Sequence, residues 1–259
     1  MKGALFCDID GTLLPYGQTQ ISPSLLATLK EAVQKDWMLC IVTGRAYESV
    51  RQTLPALADD AYFCCSSGAC LFFHGREVMP SAFLDRKTVE ELMEDARRYH
   101  ASLIFSVPEG MYSMGTLYPY TANLFRSQHT SPKPVEHLDQ FPSDRICVVT
   151  FQFPQKREIP EDALRRKWQD RIFWGVGGPA LADAGRMDKG RAVMRILDYF
   201  HIPHEQSYAF GDYDNDLPML RAVAHGFLMA DTGHKALLKV FPHHCQDIEA
   251  TIGQIISRT

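Results

Sequence analysis

No apolar run in this chain approaches the ~20 residues that span a bilayer, which argues against a membrane-spanning helix. There is no concentrated basic tract either: Lys+Arg number 27 against 31 Asp+Glu, a formal net charge of −4. Nucleic-acid backbones are held by clustered cations, so nucleic acid is not expected as a main partner. The N-terminus enters a strand-like run at once, without the apolar core and cleavage site of a signal peptide, and a cytoplasmic protein is expected. Cys-x-x-Cys is missing too. The seven cysteines, Cys7, Cys40, Cys64, Cys65, Cys70, Cys147 and Cys245, are odd in number and sit mostly inside apolar runs. They read as small buried hydrophobes in a reducing compartment, not as a disulfide framework or zinc site. What remains is ordinary globular material: 259 residues, 46% hydrophobic and 22% charged, enough for one or two domains.

The most informative stretch is residues 4–14, Ala-Leu-Phe-Cys-Asp-Ile-Asp-Gly-Thr-Leu-Leu. An apolar run of this length ending in a Gly turn reads as a buried strand of a parallel sheet. Residues i and i+2 of a strand share a face, so Asp8 and Asp10 emerge side by side at its carboxyl end, with Cys7 on the opposite face. Open α/β sheets keep their sites at that end. Adjacent carboxylates repel unless a cation or a shared proton intervenes, and a hard ion such as Mg²⁺ suits them. The plainer alternative is a polar Asp-Gly turn.

The flanking chain supplies the rest of such a sheet. Ser22 is placed as an N-cap, with Pro23 at the first helical position and a stripe of Leu25, Leu26, Leu29 and Val33. Strands are expected at residues 38–42 and 62–66, with a helix at 45–54 stopped by Pro55. A hairpin around His74-Gly75 follows, joining residues 69–73 and 76–79. This βαβαβ rhythm gives an α/β fold with a doubly wound parallel sheet. Residues 81–180 break the rhythm. They offer a helix at 86–99, a Tyr- and Met-rich stretch to Tyr120, a strand at 146–153, a helix at 161–168 and a hinge-like Gly175–Pro179. From Ala180 the rhythm resumes, with a helix at 189–200, a strand at 208–211 and helix signals at 236–240 and 248–256. One core of residues 1–80 and 181–259, carrying an inserted domain of residues 81–180, is expected.

Three further motifs occur in order behind Asp8-Ile9-Asp10-Gly11-Thr12: Val42-Thr43-Gly44-Arg45, Asp188-Lys189-Gly190, and residues 210–220, Phe-Gly-Asp-Tyr-Asp-Asn-Asp-Leu-Pro-Met-Leu. Together they resemble the haloacid dehalogenase-like (HAD) superfamily, in its Cof-type subgroup with an α+β cap inserted into a Rossmann-like core. The likeness covers nearly the whole chain, but its motifs lie in the core alone. It implies a Mg²⁺-dependent phosphatase of small phosphorylated metabolites, sugar phosphates foremost, working through a phospho-aspartate.

By that likeness Asp8 is the nucleophile, Asp10 the general acid and base, and Thr12 the group that holds Asp10. An Asp at the second position resembles phosphatases and phosphomutases, whereas dehalogenase members lack it. Thr43 and Gly44 face the phosphoryl group, and Lys189 is the balancing cation. Asp212 joins Asp8 and the backbone carbonyl of Asp10 as a metal ligand. Asp216 orients Lys189 or a metal-bound water, and Asn215 contacts the phosphate or the groups behind it. Arg45, at a helix start, is read as a solvated charge.

Two loops depart from the subgroup. Ser67-Gly68-Ala69 stands where Asn-Gly-Ala is common, and Met229-Ala230-Asp231-Thr232 where Met-Gly-Asn-Ala is usual; both bear on substrate preference. In the cap, Tyr112, Tyr118, Tyr120, Asn123, Arg126 and Trp174 are available groups. The rival readings are a phosphomutase on the same core and a non-enzymatic metabolite-binding module.

Overall fold

In the computed structural model the chain enters β1 (Gly3–Cys7) directly, and all five residues are buried, as a strand covered on both faces requires. The structure describes residues 1–141, 144–154, 159–178 and 180–258. Helix α1 (Pro23–Gln34) starts where Ser22 Oγ accepts the Leu25 N–H at 3.2 Å, with Pro23 in the first turn. Then come β2 (Trp37–Val42), α2 (Tyr47–Thr53), β3 (Tyr62–Cys65) and the hairpin of β4 (Cys70–Phe73) and β5 (Arg76–Met79).

The middle of the chain forms α3 (Arg86–Arg98), β6 (Ser102–Val107), β7 (Gly110–Met114), α4 (Pro119–Ser127), β8 (Lys133–Pro134), β9 (Val148–Gln152), α5 (Glu161–Trp168), β10 (Phe173–Gly178) and β11 (Leu181–Gly185). It closes with α6 (Lys189–Phe200), β12 (Ser207–Gly211), α7 (Leu217–Ala222), β13 (His225–Met229), β14 (His244–Cys245) and α8 (Ile248–Ser257).

One sheet runs β14-β13-β12-β1-β2-β3-β4-β5, parallel from β14 to β3 and antiparallel through the hairpin. Strand β1 lies between β2 and β12, where the winding changes direction. Its side chains alternate between two apolar layers. Leu5 and Cys7 pack with Leu29 and Ile252 of α1 and α8, while Ala4 and Phe6 pack with Val193, Ile196 and Met219 of α6 and α7. Asp8 continues the Ala4–Phe6 side, so it meets α6, and Cys7 is left in the other layer. Against the ~25 cal/mol per Å² of apolar surface that leaves water, these two layers are the main term holding the parallel sheet. All seven cysteines are free and buried.

The second sheet runs β10-β11-β9-β6-β7-β8 and is antiparallel except at β7–β8. One face packs Phe105, Val149 and Phe151 on Leu92 of α3 and Leu164 and Trp168 of α5. The other faces the carboxyl ends of the first sheet, touching it where Ile104, Met111 and Phe125 meet Ala46.

Two assignments differ from the sequence reading. Gly175 to Gly178 belong to β10 instead of a hinge, and Pro179 lies outside the described residues. Residues 181–185, placed in the core by the sequence, pair with β9 and β10, so the second sheet extends to Gly185. A short Leu-Ala-Asp-Ala-Gly run satisfies either sheet locally, and its partner is chosen by tertiary packing. Among the described residues no helix is long and apolar enough to cross a membrane.

Candidate active site

Because β1, β2 and β12 are adjacent and parallel, their carboxyl ends deliver Asp8, Thr43 and Asp212 to one place. The first residue of α6, Lys189, arrives from the layer on Asp8's side. Its ammonium is fully buried and donates to Asp8 Oδ1 at 2.6 Å and to Asp216 Oδ1 at 2.5 Å. Asp216 Oδ2 accepts the backbone N–H groups of Asp212 and Tyr213 at 2.9 and 3.0 Å. This closes the turn Asp214–Asp216 beneath β12. Gly211 makes room for it, since a Cβ there would sit 2.4 Å from Asp216 Cβ. Gly11 is required twice over: its φ is +80°, and a Cβ would lie 2.2 Å from Asp212 Oδ2.

Burial works against the Lys189 charge, yet Asp216 and Asp8 outweigh it and hold the ammonium above its usual range. The Asp8 carboxyl is pushed up by burial, against the pull of Lys189. Burial likewise lifts Asp212 to about 6, moderated by the Tyr16 hydroxyl, which donates to its Oδ2. Oxygens of Asp8, Asp212 and Asp216 all lie within 4.8 Å of one another. Three buried carboxylates share one ammonium, and all the donors are hard oxygens, a set that fits a divalent cation such as Mg²⁺. Asp216 has both oxygens engaged, so Asp8 and Asp212 hold the spare lone pairs. The Asp10 carboxylate stands outside this cluster.

Asp10 is instead clamped by Arg45, with Nε to Oδ2 at 2.8 Å and Nη2 to Oδ1 at 2.5 Å. The guanidinium is buried and also donates to Thr53 Oγ1 at 2.8 Å. The reading of Arg45 as a solvated charge is therefore corrected: its stem is enclosed and its charge is paired. Thr12, expected to hold Asp10, has a buried Oγ1 with no hydrogen-bond partner among the described residues. Thr43 Oγ1 accepts the Arg45 N–H at 3.2 Å. That loop is tied to the next by Ser67 N–H on Thr43 O at 3.0 Å and Ser66 N–H on Arg45 O at 2.9 Å. Both serines are in the left-handed region, and Ser67 Oγ lies 3.6 Å from where a Gly44 Cβ would be. In the departing loop after β13, the Thr232 hydroxyl donates to the Asp212 carbonyl.

Above these groups is a cavity of about 700 Å³ between the two sheets. Asp8, Asp10, Thr43, Gly44, Asp212 and Asn215 are in its floor. Of the cap groups read from sequence, Tyr120 alone reaches its wall among the described residues, and its hydroxyl donates to Phe153 O at 2.8 Å. Tyr112 and Trp174 are buried on the far face of the second sheet. Arg45 also lines the cavity, as do Tyr16 and the cap strand residues Thr150 and Asp183, which the sequence had not singled out.

A parallel sheet with a carboxylate-and-lysine cluster at its switch point, under a second sheet, has a family counterpart. The model of the haloacid dehalogenase-like hydrolases matches residues 5–249. The chain belongs to the haloacid dehalogenase-like hydrolases. The motif resemblance, to a HAD-type phosphatase with an inserted α+β cap, is borne out.

The HMP-PP phosphatase of Serratia proteamaculans (strain 568) is 23% identical over 232 residues, covering 86% of this chain and 82% of that protein. Pyridoxal phosphate phosphatase YbhA of Escherichia coli (strain K12) is 25% identical over 255 residues, covering 88% and 89%. Among solved structures, the HAD subclass IIB sugar phosphatase BT4131 matches with TM-score 0.81 at 21% identity, covering 97% of this chain and 98% of that one. A haloacid dehalogenase-like hydrolase from Bacteroides thetaiotaomicron gives 0.81 at 18%, covering 98% and 99%. These two matches establish the HAD fold.

Proposed function

We propose that this HAD-like hydrolase is a Mg²⁺-dependent phosphatase of small phosphorylated metabolites that works in the cytoplasm. The observation carrying the reading is the Lys189 ammonium held between Asp8 at 2.6 Å and Asp216 at 2.5 Å, behind Asp8 and Asp212 in the floor of the cavity between the two sheets. An Asp8 oxygen attacks phosphorus in line while the ester P–O bond breaks, and Asp10 gives the leaving oxygen its proton. Asp10 then takes a proton from water as the water oxygen bonds to phosphorus and the Asp8–phosphorus bond breaks, releasing phosphate. Splitting the displacement in two makes each half easier.

Lys189 offsets the charge of Asp8 and of the phosphoryl oxygens, and Asp216 fixes its direction. The Thr43 hydroxyl, the Gly44 N–H and Asn215 are the donors to the transferring group, and Ser67 supports Gly44 from below. Arg45 positions Asp10, in the place reserved for Thr12; two of the roughly four carboxylate lone pairs stay available for a proton. Asp8 and Asp212, with the Asp10 backbone carbonyl, would hold Mg²⁺, which would supply charge neutralisation on the phosphoryl oxygens.

The cavity volume lies within the ~300–1,000 Å³ of small-molecule sites. Relatives named as an HMP-PP phosphatase, a pyridoxal phosphate phosphatase and a sugar phosphatase support a substrate among small phosphorylated metabolites. Phosphate release from a panel of such esters and an aryl phosphate, with Mg²⁺ or with EDTA, tests the reading. Release that needs Mg²⁺ and disappears in Asp8→Asn is expected. A folded, Mg²⁺-binding chain that releases no phosphate from any ester would overturn it in favour of a mutase or a binding module.

A further inference from the structure

The roof of the cavity carries a carboxylate that the phosphoryl chemistry does not use. Asp183 lies in β11, in register with Thr150 of β9 on one side and Gly175 of β10 on the other. Leu181, Asp183, Val148, Thr150 and Ser106 line the same cavity, so this face of the cap sheet looks down on the floor. Its apolar members make the wall a poor solvent for charge. Thr150 donates its hydroxyl to Asp183 Oδ1 at 2.6 Å, and no Lys, Arg or His nitrogen pairs with Asp183 among the described residues. Arg45, a guanidinium of the same cavity, is already committed to Asp10 and Thr53. Asp183 is half-buried, and that burial pushes its carboxyl up, with Thr150 pulling the other way. One hydroxyl occupies one of about four acceptor positions, so the pair presents unsatisfied acceptors toward whatever lies between roof and floor.

Building on the phosphatase reading, we propose that the Asp183–Thr150 pair selects the non-phosphate part of the substrate. The pair takes a phosphate monoester whose leaving group carries N–H or O–H donors at the end remote from phosphorus, and it rejects one with a second anion there. A half-buried acceptor that a bound substrate shuts off from water discriminates strongly, because an analogue lacking the donor leaves that acceptor unpaired. Like charge brought to the same point is refused by repulsion. Donors of this kind come from a protonated ring nitrogen or amine, or from sugar hydroxyls.

The test measures kcat and KM with Mg²⁺ for pyridoxal phosphate, glucose 6-phosphate, a bisphosphorylated sugar and p-nitrophenyl phosphate. Wild type is compared with Asp183→Asn, which keeps an acceptor for Thr150, and with Thr150→Val. In Asp183→Asn, kcat/KM for the preferred donor-bearing ester should fall about 10–100-fold, chiefly through KM. Activity on p-nitrophenyl phosphate should stay within about twofold, since the floor is untouched, and the bisphosphate should be handled better than by wild type. Thr150→Val should move the same esters in the same direction. Loss confined to pyridoxal phosphate marks a nitrogen donor, and loss confined to glucose 6-phosphate marks hydroxyls; either supports the pair. An equal loss on all four esters, or no change on any, overturns it while leaving the phosphatase reading intact. A wild type inactive on every ester overturns both.

Discussion

Arg45 grips Asp10 side-on, with two guanidinium nitrogens on its two carboxylate oxygens, while the third nitrogen reaches Thr53. The pair is asymmetric in exposure: the arginine side chain is 6% exposed and the aspartate 50%. The carboxylate proposed as the acid is thus aimed by a cation that solvent hardly touches.

Removing either partner should therefore read out differently. Arg45→Lys cannot reproduce the two-pronged contact, and kcat should fall about 10- to 100-fold, within the contribution of a positioned acid, with the melting temperature little changed. Asp10→Ala strands the buried guanidinium. It should destabilise by about 2 kcal/mol, less than the 3–5 of a pair buried at both ends, because water already reaches Asp10. Steady-state kinetics and thermal denaturation of the two variants check this.

Asp216 accepts on both oxygens, from Lys189 on one and from two backbone N–H groups on the other. Asp216→Asn has one acceptor and one donor, so whichever way the amide turns, a donor faces a donor. A loss of about 2–3 kcal/mol is expected, seen as a melting temperature lower by roughly 5–10 °C, together with loss of activity. An unchanged melting temperature would refute the arrangement.

Gly11→Ala forces a side chain into positive φ and against Asp212. The stability penalty should be about 1–2 kcal/mol, while activity should drop on the order of 10²-fold, as for a catalytic group displaced by about 1 Å. The Mg²⁺ concentration giving half-maximal rate should rise about tenfold or more. A metal titration of the rate, beside a thermal scan, separates the two effects.

Asp85 caps α3: it accepts the Thr88 N–H at 2.9 Å and pairs with Arg186 at 2.8 Å, and those bonds lower its carboxyl to about 2. The unfolded chain holds that proton up to about pH 4, so the unfolded state binds more protons between those values. The stabilisation is complete above about pH 4 and disappears as pH falls toward 2. Acid unfolding of wild type and Asp85→Asn, which keeps a capping oxygen without the charge, should show a gap at neutral pH that closes below about pH 2.

Asp8 and Asp10 were legible from their spacing at a strand end, and Lys189, Asp212 and Asp216 from the resemblance of their motifs to the family's. Arg45 was not. Its burial depends on a carboxylate 35 positions earlier, which local pattern does not reveal. Tyr16 is further still, 196 positions from its partner Asp212. The parallel core was readable from its βα rhythm, whereas the cap's β6–β7 hairpin hid within a Tyr- and Met-rich stretch. Strand β11 was misplaced because two sheets could accept it, and with it went Asp183, the carboxylate of the roof.

The distribution of sulfur in this chain turns it into its own stability gauge. With all seven thiols enclosed, and burial pushing those of Cys7, Cys40 and Cys65 well above their usual range, an alkylating reagent has little to react with while the fold holds. Each opening event that exposes a strand of the core also exposes sulfhydryl groups. The number of labels carried by each molecule, counted by mass after a timed pulse, should thus separate local fraying from global unfolding without any engineered probe.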